Sequence, residues 1–270
     1  MAAGPVSPLV LDRYELKYLI PYSMVEPISA YVAHFCDMDY YSTISENGFY
    51  LINSLYFDTP TFLFTRRKEE GYPNRFSLRV RSYGEKPKAP YYFETKEKFL
   101  DFCKKRRGRV PIENWSDLLF DPSMVTEFEH ASDPHIQRFI SLATTYNASP
   151  VILTQYRRRA YLSTLDDYAR VTFDCKLRFQ HETRYNVHPD ERHMNCYDHP
   201  DTFLDPGHNV ILELKCERKI PVWMIELIRR FNLTRSGFSK FYTGMVESYG
   251  QQANHDFTFD RIQNYEPRAR

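Results

Sequence analysis

From Asn74 to Tyr83 charged and apolar residues alternate: Arg75, Arg79 and Arg81 fall on one parity, and Phe76, Leu78 and Val80 on the other. A period of two is that of a β-strand, whose successive side chains point to opposite faces. The same pattern recurs at Arg13, Glu15 and Lys17, at Tyr92, Glu94, Lys96 and Lys98, and at Tyr156 and Arg158. It recurs again at Asp174, Lys176 and Arg178, and at Ile211, Glu213, Lys215 and Glu217. Six strands that each place long cations and carboxylates on one side predict a closed sheet with the charged side inside.

The intervening segments supply helices. Tyr22–Cys36 has helical spacing through Met24, Val25, Ile28, Tyr31, Val32 and Phe35, with Pro27 as an early kink. Leu51–Asp58 reads as a strand stopped by Thr59 and Pro60. Gly84–Pro90 is rich in turn formers, which makes the strands on either side a hairpin. Lys104–Arg109 is a dense basic run whose plain reading is a solvated strand end or loop. Ile136–Tyr146 is helical, Val151–Leu162 and Arg170–Phe179 are strands, and Gln180–Asn209 is a long polar excursion before a strand at Val210–Ile220. Pro221 suits the first turn of a helix through Trp223, Met224, Leu227 and Ile228, and Ser239 can cap a last helix. These elements make one domain over residues 11–250, followed by a polar tail at 251–270.

Composition narrows the function classes. The net charge of +1 excludes a general nucleic-acid coat, so any basic surface is local. The five cysteines are odd in number and form no CxxC, which argues against a disulfide framework and for a reducing compartment. The first ten residues lack a secretory pattern and no stretch approaches the ~20 apolar residues of a membrane span, so the expected location is the cytoplasm, without membrane insertion. His181, His188, His193, His199 and His208, with Cys196, fit no zinc-finger spacing and read as a polar loop. No GK[ST] loop is present, so nucleotide binding would not use a P-loop.

A single arginine on a strand is ordinarily solvent-facing. What changes the picture is the mixture: Glu-x-Lys occurs at Glu15/Lys17, Glu94/Lys96 and Glu213/Lys215 with the same parity. Cations that grip phosphate oxygens, beside carboxylates that hold a divalent metal, are what a polyanion site requires. Arginine adds a planar fork that matches phosphate bidentately.

The ordered segments RYELKYLI, SLYFDT, SLRVRSYG, YYFETKEK, QYRRRAYL, VTFDCKLRF, VILELKCE and GFSKFYTG resemble the polyphosphate polymerase domain of the vacuolar transporter chaperone (VTC) family, within the triphosphate tunnel metalloenzymes. The resemblance covers roughly residues 11 to 247. It implies an α+β fold, a closed antiparallel eight-stranded β-barrel with flanking helices. It implies catalytic roles for Arg79, Arg81, Lys96, Arg158 and Lys240, and metal binding by Glu213 with Mn2+ or Mg2+. Lys17, Glu15, Arg75, Glu94, Lys98, Tyr156, Arg178, Lys215 and Ser239 would contact substrate. The implied partners are ATP and polyphosphate, with the oligomeric state left open.

The chain departs from the wider pattern. Many tunnel triphosphatases open with Glu-x-Glu-x-Lys, whereas this chain has Arg13-x-Glu15-x-Lys17; a carboxylate is lost and a cation gained. Lys98 stands where the eukaryotic polymerases tend to have His, and Gly237 where they tend to have Lys, although Arg235 could reach the same end. The expected activity is transfer of the terminal phosphoryl group of ATP to a growing polyphosphate chain. The alternatives are a triphosphatase of the same fold and a non-catalytic polyphosphate-binding module.

Overall fold

The computed structural model describes residues 13–99, 102–120, 133–197, 209–217 and 219–250; the expected tail at 251–270 lies outside them. Strands are β1 (Arg13–Ile20), β2 (Cys36–Met38), β3 (Tyr50–Asp58), β4 (Asn74–Tyr83), β5 (Tyr91–Phe99), β6 (Phe102–Val110), β7 (Ser149–Ser163), β8 (Ala169–His181), β9 (Asn195–Cys196) and β10 (Val210–Glu217). They form one antiparallel sheet in the order β1-β10-β8-β7-β3-β4-β5-β6, with β2 added to β7 and β9 to β8.

The expected closed eight-stranded barrel is therefore not what forms. β1 pairs with β10 and β6 pairs with β5, and among the described residues no ladder joins β1 to β6. Side-chain alternation dictates which face is charged, but it carries no information on whether the last strand pairs with the first. β6 also bears Lys104, Lys105, Arg106, Arg107 and Arg109, the kind of charged edge that resists strand addition. The sheet nevertheless curls strongly: Lys96 on β5 reaches Glu15 on β1 at 3.0 Å, although the two strands lie near opposite ends of the path. The charged face is thus the inside of an open trough.

Helices pack against the sheet, and the last of them meets Tyr56 and Ile152 at one end of the charged face. The helices are α1 (Val25–Val32), α2 (Tyr40–Thr43), α3 (Leu63–Glu69), α4 (Asp117–Phe120), α5 (Pro134–Thr145), α6 (Val222–Arg230) and α7 (Lys240–Gly250). Pro27 lies in the first turn of α1 and does not kink it, because an N–H there would have no helical partner. One core packs Phe57, Leu78, Val80, Phe93 and Phe139; the other packs Ile28, Val32, Phe173, Leu212, Leu214 and Met224. Cys175 and Cys216 lie buried in the second core as small apolar groups.

Two glycines permit close packing. A Cβ at Gly108 would lie 2.4 Å from Ile136 Cγ1 and 2.9 Å from its backbone nitrogen, so α5 sits directly on β6. At Gly244 it would lie 2.5 Å from Ile152 Cδ1 and 2.5 Å from Tyr197 Oη, which lets α7 settle against β7. Part of the polar excursion is structured: Val187 and Tyr197 are buried in the first core. Among the described residues no helix is long and apolar enough to cross a membrane.

Candidate functional site

The trough is built in three connected groups. In the first, Arg79 and Arg81 project from β4 and straddle Glu94 on the neighbouring β5. Arg79 donates to Glu94 Oε2 at 2.7 Å and to Tyr56 Oη at 2.8 Å, and Arg81 lies 3.6 Å from Glu94 Oε1. From the other side β6 brings Lys105 to 2.7 Å and Arg107 to 3.4 Å of the same carboxylate. Glu94 is 1% exposed, so one buried anion is surrounded by four cations.

In the second group Arg158 forks onto Asp174 at 2.6 and 2.7 Å, and Lys240, at the start of α7, meets Asp174 Oδ2 at 2.7 Å. Both cations lie over the ring of Tyr156, at 5.3 and 4.5 Å from its centroid, while Arg81 donates to its hydroxyl at 3.3 Å. Tyr156 therefore links this group to the first. In the third, Lys17 lies 3.3 Å from Glu213 and 3.4 Å from Glu15, Lys215 lies 2.7 Å from Glu213, and Lys96 is 3.0 Å from Glu15. Arg158 approaches Glu213 at 3.8 Å and connects the second group to the third.

Electrostatics follow from these contacts. Burial opposes ionisation of Glu94, yet Arg81, Lys105, Arg79 and Arg107 hold it well below the usual carboxylate range. Burial likewise opposes ionisation of Glu213, and Lys215, Lys17, Lys240 and Arg158 overcome it. Asp174 is held low against burial by Arg158 and Lys240, and Glu15 by Lys96, Lys215 and Lys17. Desolvation and the nearby Arg81, Arg79 and Arg107 push Lys105 below the ordinary lysine value, and Glu94 at 2.7 Å together with a side chain still 39% exposed oppose that shift. Cations outnumber carboxylates across the trough, so its field favours an added anion.

One end is especially cationic. Arg75 and Lys98 face each other across β4 and β5, an unfavourable like-charge pair unless an anion lies between them. Lys68 on α3 is lowered to about 8 by burial and by Arg75, Lys17, Lys98 and Lys96. Asp58 fixes α3 in place by accepting from the backbone N–H groups of Phe64 and Thr65, each at 2.9 Å. Ser239 caps α7, its hydroxyl accepting from Tyr242 N at 3.3 Å, so its described contact is structural; Lys240 beside it is turned into the trough.

Sequence reading and structure part at several positions. Arg178 points away from the trough, to Glu191 at 2.6 Å and to Gln155, because the β7–β8 register shifts between Gln155 and Arg157 and Lys176 has φ of +49°. That bulge reverses the parity that grouped Arg178 with Asp174. The Arg13 side chain, His199 and His208 lie outside the described residues, and Gly237 is exposed. Within the Lys104–Arg109 run no alternation marks Lys105 and Arg107 as inward-facing, and Lys68 stands on a helix, where strand parity carries no signal.

No set of three His, Cys, Asp or Glu side chains among the described residues converges to hold a metal ion by itself. The donor chemistry fits a different arrangement: Mg2+ and similar ions are held by one or two carboxylates together with substrate phosphates and water. Glu213, with Glu15 nearby across Lys17, can supply that limited share.

The VTC domain family matches residues 12–249. Subunit 4 of the vacuolar transporter chaperone complex from Trypanosoma brucei brucei is 26% identical over 92% of this chain and 36% of its own length. The Trypanosoma cruzi protein of the same name is 25% identical over 92% and 35%. The chain thus spans about a third of these curated relatives. Among solved structures, a Vibrio parahaemolyticus protein described as an adenylate cyclase is 12% identical at a TM-score of 0.44, covering 86% of this chain and 96% of its own. A Hippeastrum protein described as an adenylyl cyclase with dominant triphosphatase activity is 15% identical at a TM-score of 0.44, covering 87% and 95%. Those scores support nothing further. The match across nearly the whole described sheet, from β1 to α7, places the chain in the VTC domain family.

Proposed function

We propose that this chain is a metal-dependent polyphosphate polymerase that moves the terminal phosphoryl group of ATP onto a growing polyphosphate chain. The observation that carries this reading is the pairing of the trough carboxylates: Glu15, Glu94, Asp174 and Glu213 each lie within 4.0 Å of two or more cations. A hydrolase needs a group that orients and deprotonates water near neutral pH. Carboxylates paired in this way are poor candidates for that role. An anionic phosphate chain end needs no base, so catalysis reduces to positioning and charge neutralisation.

In this reading Arg79, Arg81, Arg158 and Lys240 hold the transferring phosphoryl group and the phosphates on either side of it. The chain-end oxygen attacks the γ-phosphorus, the bond from that phosphorus to the β,γ-bridging oxygen breaks, and ADP leaves with that electron pair. The product is longer by one phosphate. Lys17, Lys96 and Lys215 grip the acceptor, and Arg75, Lys68 and Lys98 extend the positive surface beyond it. A divalent ion travelling with the nucleotide, with Glu213 as its protein ligand, would neutralise charge on the β- and γ-oxygens.

Incubation of purified protein with ATP and Mn2+, resolved by gel and by 31P NMR, tests the proposal. Long polymers with internal phosphate resonances are expected. Orthophosphate as the sole product would instead favour a triphosphatase, and tight polyphosphate binding without turnover would favour a binding module.

A further inference from the structure

Four tyrosines gather at the end of the trough opposite Lys68. Tyr83 follows Arg81 by two residues on the same face of β4, about 7 Å further along. Tyr41 on α2 stacks on it, with centroids 5.8 Å apart and planes within 3°. Tyr50 lies 5.6 Å from Tyr41, and Tyr92 meets Tyr83 edge-on at 5.7 Å. Arg107 covers the Tyr92 ring at 3.7 Å and donates to Tyr83 Oη at 2.6 Å. The same arginine pairs with Glu94, so the aromatic group is joined to the phosphate-facing cations.

This cluster is not a closed core. Tyr41 is 48% exposed and Tyr40 beside it 70% exposed. Tyr41, Tyr50 and Tyr83 line a cavity of about 390 Å³ together with Ser45, Glu46 and Arg157. That volume falls in the range of small-molecule sites, and stacked rings beside polar acceptors are suited to a flat heteroaromatic group. At this rim Glu85 is paired with Arg157 at 3.5 Å, and the carboxylate of Glu46 can accept from an exocyclic amine.

We infer that the tyrosine cluster is the base-binding end of the trough, where a purine ring stacks on Tyr41 while its phosphates run inward to Arg81 and Arg79. The inference rests on the phosphoryl-transfer reading above and adds to it the nucleoside end of the substrate. It makes the site selective for a nucleotide over a bare phosphate chain of equal length. Stacking is sequence-tolerant and depends on an aromatic face, so phenylalanine can replace tyrosine at this position.

Calorimetric titration of the full chain with ATP and with inorganic tripolyphosphate tests it. Tyr41→Ala is expected to weaken ATP about tenfold, the size of one base–aromatic stack, while tripolyphosphate changes by less than about twofold. Tyr41→Phe is expected to restore ATP affinity. Tyr41→Leu keeps bulk without an aromatic face and is expected to behave as alanine does, which separates stacking from packing. Equal effects on both ligands, or none on ATP, would overturn the base site while leaving the phosphate trough standing. Failure of the unmodified protein to bind either ligand would overturn the phosphoryl-transfer reading and the base site with it.

Discussion

Glu94→Gln perturbs the trough at its most charged point. The buried carboxylate lies 2.7 Å from Arg79, 2.7 Å from Lys105, 3.4 Å from Arg107 and 3.6 Å from Arg81. At an effective dielectric of ~20, a pair at 2.7 Å is worth about 6 kcal/mol of gross attraction. Desolvation offsets most of that, but removing one partner from a buried network leaves the remaining charges uncompensated, at a cost of about 3–5 kcal/mol. For a chain of this size each kcal/mol corresponds to roughly 2–4 °C, so Tm is expected to fall by about 6–20 °C. A polyanion can replace the missing charge. Tripolyphosphate is therefore expected to bind Glu94→Gln more tightly and to raise its Tm more than that of the unmodified protein, as ligand linkage requires. Thermal unfolding with and without tripolyphosphate, backed by urea titration, measures both effects. Unchanged stability together with an unchanged ligand shift would refute the four-cation network as the electrostatic centre of the trough.

The pH dependence has a definite sign. Glu94 has a depressed folded pKa, so its stabilisation is present above the unfolded glutamate value of about 4.3 and is lost as pH falls through the folded value; acid unfolding curves of the protein and of Glu94→Gln should converge at low pH. Lys68, lowered to about 8, is partly neutral at pH 8 and should take up protons when an anion binds; titrations in buffers of different ionisation enthalpy should show that uptake, and Lys68→Gln should abolish it. Gly244→Val drives a side chain into Ile152 and Tyr197, costs about 1–3 kcal/mol, and should weaken tripolyphosphate binding by displacing Lys240. Glu213→Gln should remove the metal dependence of turnover while leaving metal-free tripolyphosphate binding measurable by calorimetry.

Much of this arrangement was legible in the chain because strand parity is a strong signal wherever one face is apolar. Arg79, Arg81, Glu94, Lys96, Glu213 and Lys215 could be assigned to a common face from alternation, and each does face the trough. That signal is lost where the period breaks. At Lys176 a left-handed backbone residue inserts a bulge, and every parity beyond it inverts, which sends Arg178 to Glu191. In Lys104–Arg109 charge on both faces erases the alternation that would reveal Lys105 and Arg107 as inward-facing. Closure of the sheet was not readable either: a barrel and a curled trough present the same face pattern, and they differ only in whether the β1 and β6 edges exchange hydrogen bonds.

Arg158 is buried and bidentate to Asp174, which has no exposed surface, so Arg158→Ala would unbalance the fold as well as the site. Asp174 retains Lys240 in that variant, yet the buried network is still broken. The pair Arg158→Ala with Asp174→Asn removes both charges of the fork but also takes Asp174 from Lys240, so Tm is measured beside tripolyphosphate affinity.

The central claim is that cations from separate strands and from α7 act together on one chain of phosphates. Its most direct test is calorimetric titration with tripolyphosphate of the unmodified protein, Arg79→Ala, Lys240→Ala and the double variant. Removing a charged contact is expected to cost at least about tenfold each, and the double variant about a hundredfold or more, with the dependence on salt reduced at every step. Affinities within about twofold of the unmodified protein in all three variants would contradict the account.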